Sequence, residues 1–194
     1  MTDSVEQDAA IKPRGIRGVD DRLRLRQVLE RDRAFLYGVF ESTRAKEFAR
    51  TGWSAQRIAQ MLAEQFSMQD TYYRSHYPNG CFDVIELDGQ PIGRLYHDWS
   101  GSEARLIDIA LLPAYRGAGI GTRLMQAFVA HAAAKAMRIV LYVEMDNAVQ
   151  ALYRRLGFEA AGENGVYLRM QRPGTAFDGA QGMPVRVHAS DGAT

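Results

Sequence analysis

The chain has 194 residues, 46% hydrophobic and 24% charged, with a formal net charge of +1. That length suits one folded unit able to bury a continuous core, and the mixture is that of neither a disordered segment nor a membrane protein. The near-neutral balance supplies no broad field for nucleic acid, and a single cysteine, Cys81, excludes an internal disulfide and a thiolate metal cluster.

Residues 1 to about 20 are polar and mixed in charge and read as a tail. The opening MTDSVEQDAA has neither the basic end nor the apolar segment of a secretory signal, and nowhere do about 20 apolar residues run together. A cytoplasmic protein without membrane contact is the expectation. LRLRQVL (23 to 29) suggests a short strand that runs into a helix near ERDRAFLYGVFESTR. Ser54 then caps a longer helix. Trp53 and Ile58 form its hydrophobic staple, Ile58, Met61, Leu62 and Phe66 follow its spacing, and it ends near Tyr77, ahead of Pro78. FDVIEL and QPIGRLYHDW, joined by Asp88-Gly89, predict a two-residue hairpin. ARLIDIALLP (104 to 113) reads as a strand, GTRLMQAFVAHAAAKAM as a helix and RIVLYVE (138 to 144) as another strand.

In DNAVQALYRRLGF either Asp146 or Asn147 caps a short helix over about 148 to 156, with Gly157 as its stop, and GVYLRMQ closes the pattern as a strand. The order is a strand, two helices, a meander and then βαβαβ. It predicts an α/β (α+β) fold, a mixed sheet with helices on both faces. The Gly-, Pro- and Ala-rich stretch from 172 to 194 reads as a second tail. The alternative is that it lies across a partner subunit of a homodimer, anchored by Phe177, Met183 and Val185. His76, His97, His131 and His188 are scattered without ligand spacing, so no metal is expected.

In RGAGIG, Gly117, Gly119 and Gly121 strip the side chains from a loop that leads into a helix, with Arg116 beside it. Bare amides at a helix start favour a phosphate or pyrophosphate. A tight turn without a ligand is the alternative. A dinucleotide loop with Glu144 as the ribose acid fits poorly: its third glycine falls on Thr122, and Pro113 to Arg116 intervene after the strand.

IDIALLPAYRGAGIGTRL resembles the acyl-CoA-binding segment of the Gcn5-related N-acetyltransferase (GNAT) family, with Arg116, Gly119 and Gly121 at the marked positions. DNAVQALYRRLGF, with Asn147, Tyr153, Gly157 and Phe158, is similar to the family's second segment. The resemblance covers about residues 22 to 171 and is most specific over 104 to 171. It implies a centrally splayed sheet and acetyl-CoA as cofactor. Pyrophosphate would lie on Arg116, Gly117, Ala118, Gly119, Ile120, Gly121 and Thr122, and the pantetheine arm against the main chain of Ala110, Leu111 and Leu112. The implied partner is an amine, from a small molecule or a peptide, and not a nucleic acid.

The family tyrosine near the sulfur matches Tyr153, which makes it the candidate general acid, with packing on the sheet as its alternative. The oxyanion donor is expected to be a main-chain N–H near Ala110 or Leu111. Asn147 stands six residues before Tyr153, where the family's commonest spacing of seven selects Asp146, so either can face the cofactor. Simple alternation puts Leu106, Asp108, Ala110 and Leu112 on one strand face. Asp108, the single charge inside that strand, is the candidate base, against an ion pair with an arginine; Glu86 and Glu144 are weaker candidates. Arg44, Glu47, Gln65, Gln69, Tyr72 and Tyr73 are candidates for the acceptor wall. Two other readings stand beside the enzyme: a silent acyl-CoA-binding module and an assembly platform.

Overall fold

A computed structural model describes residues 16, 18–48 and 51–174. In chain order it contains β1 (Leu23–Gln27), a 3-10 turn at Glu30–Asp32, α1 (Arg33–Phe48) and α2 (Ala55–His76). The meander β2 (Cys81–Leu87), β3 (Gln90–Asp98) and β4 (Glu103–Leu111) follows. A 3-10 turn at Pro113–Tyr115 leads into α3 (Ile120–Ala134), then β5 (Arg138–Glu144), α4 (Gln150–Arg155), β6 (Glu159–Asn164) and β7 (Tyr167–Arg172). The seven strands form one mixed sheet in the order β1-β2-β3-β4-β5-β7-β6, in which only β4 and β5 pair in parallel. This is the expected α/β architecture.

Local chemistry explains most of the boundaries. The Ser54 side chain accepts from the Arg57 amide at 3.3 Å and starts α2, whose buried Leu62 and Phe66 sit four residues apart on one face. Asp88 and Gly89 both hold positive φ, 52° and 77°, as a hairpin turn of this length requires. Asn147 caps differently from expectation. Its Oδ1 accepts from Val149 N at 3.0 Å, one turn ahead of a helix that starts only at Gln150. Strand β6 is an element the sequence reading lacks. Its residues EAAGEN are polar or small and mostly exposed, so this edge strand has no apolar alternation to betray it.

Two clusters of buried side chains cover the two faces of the sheet. Leu36 and Phe40 of α1 and Leu62 and Phe66 of α2 pack on Val84. On the other face Ile120, Leu124, Met125, Phe128 and Ala132 of α3 meet Ile85, Leu95, Ala104, Leu106, Ile139 and Leu141, and Tyr153 and Phe158 continue the same cluster. Ile16 is also buried there and Gly18 bridges to Arg24, so packing begins before residue 20. Among the described residues no helix is long and apolar enough to cross a membrane. Phe177, Met183 and Val185 lie outside the described residues.

A bulge in β4 positions the site. Tyr96 pairs with Asp108 and His97 with Leu106, which leaves Ile107 as an extra residue. It shifts the side-chain parity: Ala104 and Leu106 face α3 before it, Ile109 and Leu111 after it. Leu106 therefore does not share a face with Asp108 and Ala110, which turn toward α1 and α2, and the simple alternation expected from sequence fails at this residue. Beyond the bulge, β3 and β4 approach closely. A Cβ on Gly93 would lie 2.3 Å from the Ala110 carbonyl oxygen. Gly93→Ala is expected to cost about 2 kcal/mol through overpacking, a fall of roughly 4–8 °C in thermal midpoint measured by calorimetry. An unchanged midpoint would mean that the strands part more easily than their spacing implies.

Candidate functional site

The parallel register of β4 and β5 runs from Glu103 opposite Arg138 to Leu106 opposite Leu141 and stops there. Ile107–Leu111 and Tyr142–Glu144 then diverge. The resulting cleft, about 320 Å³, is lined by residues of all three surrounding layers: Arg44 and Glu47 of α1, Gln69 and Tyr73 of α2, Arg94 of β3, Ile107 to Ala110 of β4, Tyr142 to Glu144 of β5, and Asn147, Val149, Tyr153 and Tyr167. The bulge thus opens the sheet at its centre and lets the helices look into the gap.

Main-chain groups along the opened edge divide by strand alternation. The Leu112 N–H donates to the Ile92 carbonyl at 2.9 Å, so Leu112, and with it Ala110 two residues earlier, aims its peptide groups at β3. Those of Ile109 and Leu111 face the gap. Ala110 keeps only its side chain in the cleft, and of the residues named for main-chain contact, Leu111 alone offers an N–H to an extended ligand.

The gap leads toward the glycine loop. Gly117 and Gly119 hold φ of 78°, a conformation that excludes branched side chains, and nothing lies within 4 Å of a Cβ on Gly117, Gly119 or Gly121. The first main-chain bond of α3 is Arg123 N to Gly119 O at 3.0 Å, so the amides of Ile120, Gly121 and Thr122 ahead of it have no intrahelical acceptor. Gly117, Ala118 and Gly119 are exposed beside them. This helix start can receive an anion. Arg116, expected to add its charge there, is exposed beside the loop. Its Nε donates to the Leu111 carbonyl at 2.7 Å and its Nη2 to the Ser42 hydroxyl at 2.8 Å, tying the loop to β4 and α1.

Tyr153 reaches the cleft from α4. Its ring packs on Phe158 with centroids 5.7 Å apart, and the residue is 5% exposed, yet its hydroxyl has no hydrogen-bond partner among the described residues. Burial first, and then the charge of Asp108, push its pKa up to about 12. A proton is therefore held on an uncommitted oxygen at the wall of the gap. Asn147 lines the cleft and Asp146 does not, so the structure brings Asn147 to the site.

Asp108 lies in the cleft with an arginine partner, the arrangement weighed against its being a base. Its Oδ2 accepts from Arg94 Nη2 at 2.6 Å, and the same Nη2 reaches Gln69 Oε1 at 2.9 Å. The other oxygen, Oδ1, has no partner among the described residues. Glu144 lines the cleft 3.7 Å from Arg44, whereas Glu86 is held by Arg26 at 2.6 Å, outside it. Of the expected acceptor wall, Arg44, Glu47, Gln69 and Tyr73 are present; Gln65 is absent from the lining, and Tyr72 is half exposed and stacked on His76. Burial and Asp108 also raise the Tyr73 pKa far above its ordinary value. Sequence reasoning missed Arg94. A lone guanidinium inside the apolar strand PIGRLY was its signal, but the partner depended on a bulge that periodicity does not reveal.

Comparison with known proteins matches residues 44–158 to the family described as Acetyltransferase (GNAT) family. The chain belongs to that family. An N-acetyltransferase of Methanocaldococcus jannaschii, itself described as uncharacterized, is 33% identical over 87 residues, 43% of this chain. The match spans 55% of the length of that relative. Two solved GNAT-like structures share the fold. The PaiA N-acetyltransferase of Thermoplasma acidophilum, in complex with coenzyme A, has a TM-score of 0.58 at 23% identity, covering 78% of this chain and 98% of that one. The ribosomal-protein-S18-alanine N-acetyltransferase of Escherichia coli has a TM-score of 0.56 at 18% identity, covering 81% and 97%. The GNAT match begins within α1, at Arg44, and so contains the whole opened edge, the glycine loop and Tyr153.

Proposed function

We propose that the chain is an N-acetyltransferase that moves the acetyl group of acetyl-CoA to a primary amine by direct attack in a ternary complex. The observation that carries the reading is the opened β4–β5 edge, which runs between an unpaired helix start at one end and a protonated, uncommitted Tyr153 hydroxyl along its wall. The pyrophosphate sits on the amides of residues 117–122, and the pantetheine arm runs along the opened edge between the two strands. The amine nitrogen attacks the thioester carbonyl, the Leu111 N–H donates to the developing oxyanion, and the C–S bond breaks. Tyr153 gives its proton to the departing thiolate, and Asp108 Oδ1 takes the proton that the amine loses.

Binding is tested by the thermal midpoint with and without acetyl-CoA, using NAD as control. A ligand at about 100 times its Kd stabilises by about 2.7 kcal/mol, a rise of roughly 5–11 °C for this size. A rise with acetyl-CoA alone supports the site. The same rise with NAD, or none with either, overturns it. Thiol release with an amine then separates the enzyme from a silent binding module.

A further inference from the structure

Arg94 presents a donor that the folded chain does not use. It projects from the centre of β3 and is 3% exposed, and its guanidinium carbon lies 5.4 Å from the Tyr96 ring centroid, which steadies the plane. Nη2 is spent on Asp108 and Gln69. Nε is buried without a partner. Nη1 makes no hydrogen bond among the described residues, yet it is not among the fully buried unpaired atoms, so it touches the cleft that Arg94 lines. Beside it, Asp108 presents Oδ1 to the same space. A donor cation and an acceptor anion, joined through their other atoms at 2.6 Å, thus stand side by side at the acceptor end.

Removing a guanidinium from water is costly, and a single bond to Asp108 and one to Gln69 leave three of its five N–H groups without an acceptor among the described residues. For tethering Asp108 alone, the outermost Nη2 suffices. The two N–H groups of Nη1 are explained by a ligand that brings its own negative charge. Asp108 Oδ1 holds the ammonium or amine end of the same ligand.

We infer that the acceptor is a small amine carrying a carboxylate within a few bonds of its nitrogen, with Arg94 Nη1 gripping the carboxylate and Asp108 Oδ1 the nitrogen; this rests on the acetyltransferase reading above. The charge of the lining favours a carboxylate over a phosphate. Two guanidinium groups, Arg44 and Arg94, face three carboxylates, Glu47, Asp108 and Glu144, so a zwitterion is accommodated where a dianion is repelled. Arg94 is a specificity residue here, since it touches a part of the acceptor that does not react.

The test uses the full chain, acetyl-CoA and thiol release. The panel comprises the common α-amino acids, the amide of each, in which a neutral group of the same shape replaces the carboxylate, and the decarboxylated amine of each. Aspartyl and glutamyl peptide amides form a further arm, which separates a free amino acid from a peptide whose first side chain supplies the carboxylate. At least one carboxylate-bearing amine is expected to exceed its neutral counterpart by about 10- to 100-fold in kcat/KM. Arg94→Lys keeps a charge beside Asp108 but removes the second donor; it is expected to raise KM for that substrate about 10-fold or more while leaving coenzyme A affinity unchanged. The variant is compared on the amide of that substrate as well: loss of a carboxylate grip raises KM for the carboxylate alone, whereas a role confined to holding Asp108 raises both alike and overturns the assignment.

Equal use of amides or decarboxylated amines by the unaltered protein overturns the assignment, as does failure of every carboxylate-bearing amine while another amine is acetylated. If coenzyme A does not bind, or no amine in the panel releases thiol, the acetyltransferase reading falls first and this inference with it.

Discussion

Tyr153→Phe is expected to lower kcat on the order of 10²-fold and to leave coenzyme A affinity unchanged. The structural cost of the change is small, because the hydroxyl it removes has no hydrogen-bond partner among the described residues and the ring keeps its packing on Phe158. Removing an unpaired polar group from a buried wall is close to neutral for stability. The loss is therefore read as chemistry rather than as damage. The pH dependence carries the same sign. With the pKa pushed up to about 12, the acid form is present at every lower pH, so Tyr153 contributes no falling limb to the pH–rate profile below about pH 11. Steady-state kinetics from pH 6 to 10, with calorimetric titration of coenzyme A, check both statements. A wild-type kcat in the variant removes Tyr153 from the reaction, and a falling limb near pH 9 that the variant abolishes contradicts its high pKa.

Gly121→Glu should abolish cofactor binding in a protein that is at least as stable as before. Gly121 lies in the first turn of α3 and a Cβ there meets nothing within 4 Å. A glycine replaced in a helix gains about 0.5–1 kcal/mol of propensity, and an acid in the first turn gains about 0.3–1 kcal/mol from the helix dipole. The new carboxylate occupies the place proposed for the pyrophosphate, and like charges held together cost several kcal/mol, at least about 100-fold in affinity. Gly119→Val is a less clean probe, since φ of 78° strains a β-branched side chain before any ligand is considered. Thermal melting and titration calorimetry on Gly121→Glu decide the matter. Unchanged coenzyme A affinity in a folded variant moves the phosphates away from this helix start.

Much of the architecture was legible because its signals are local. Ser54, the Asp88-Gly89 pair and the β-branched run of 138–144 each act on their own few residues, and each element formed where expected. Signals that depend on pairing were not legible. The parity of β4 changes at Ile107 because of how that strand meets β3, and no property of Ile107 itself announces an extra residue. The consequences reach the site: Leu106 changes face, Ala110 and Leu112 spend their peptide groups on β3, and Arg94 comes to lie against Asp108. Arg116 was legible from its motif position, but its bonds to the Leu111 carbonyl and the Ser42 hydroxyl were not, since Ser42 lies in a distant part of the chain. Strand β6 escaped notice since an edge exposed to water needs no apolar rhythm.

The opened edge between β4 and β5 is made of main chain, and that decides which kinds of change the protein can absorb. A binding surface built from peptide groups asks for a path through space rather than for particular side chains. Substitutions along Ile107–Leu111 alter bulk and polarity and leave the path in place. Insertions and deletions do not. Losing Ile107 would heal the bulge, make the ladder with β3 regular and remove the departure that opens the gap toward β5, while Asp108 kept its place opposite Tyr96. Lineages of this fold can therefore drift far in composition while the spacing within this strand stays fixed.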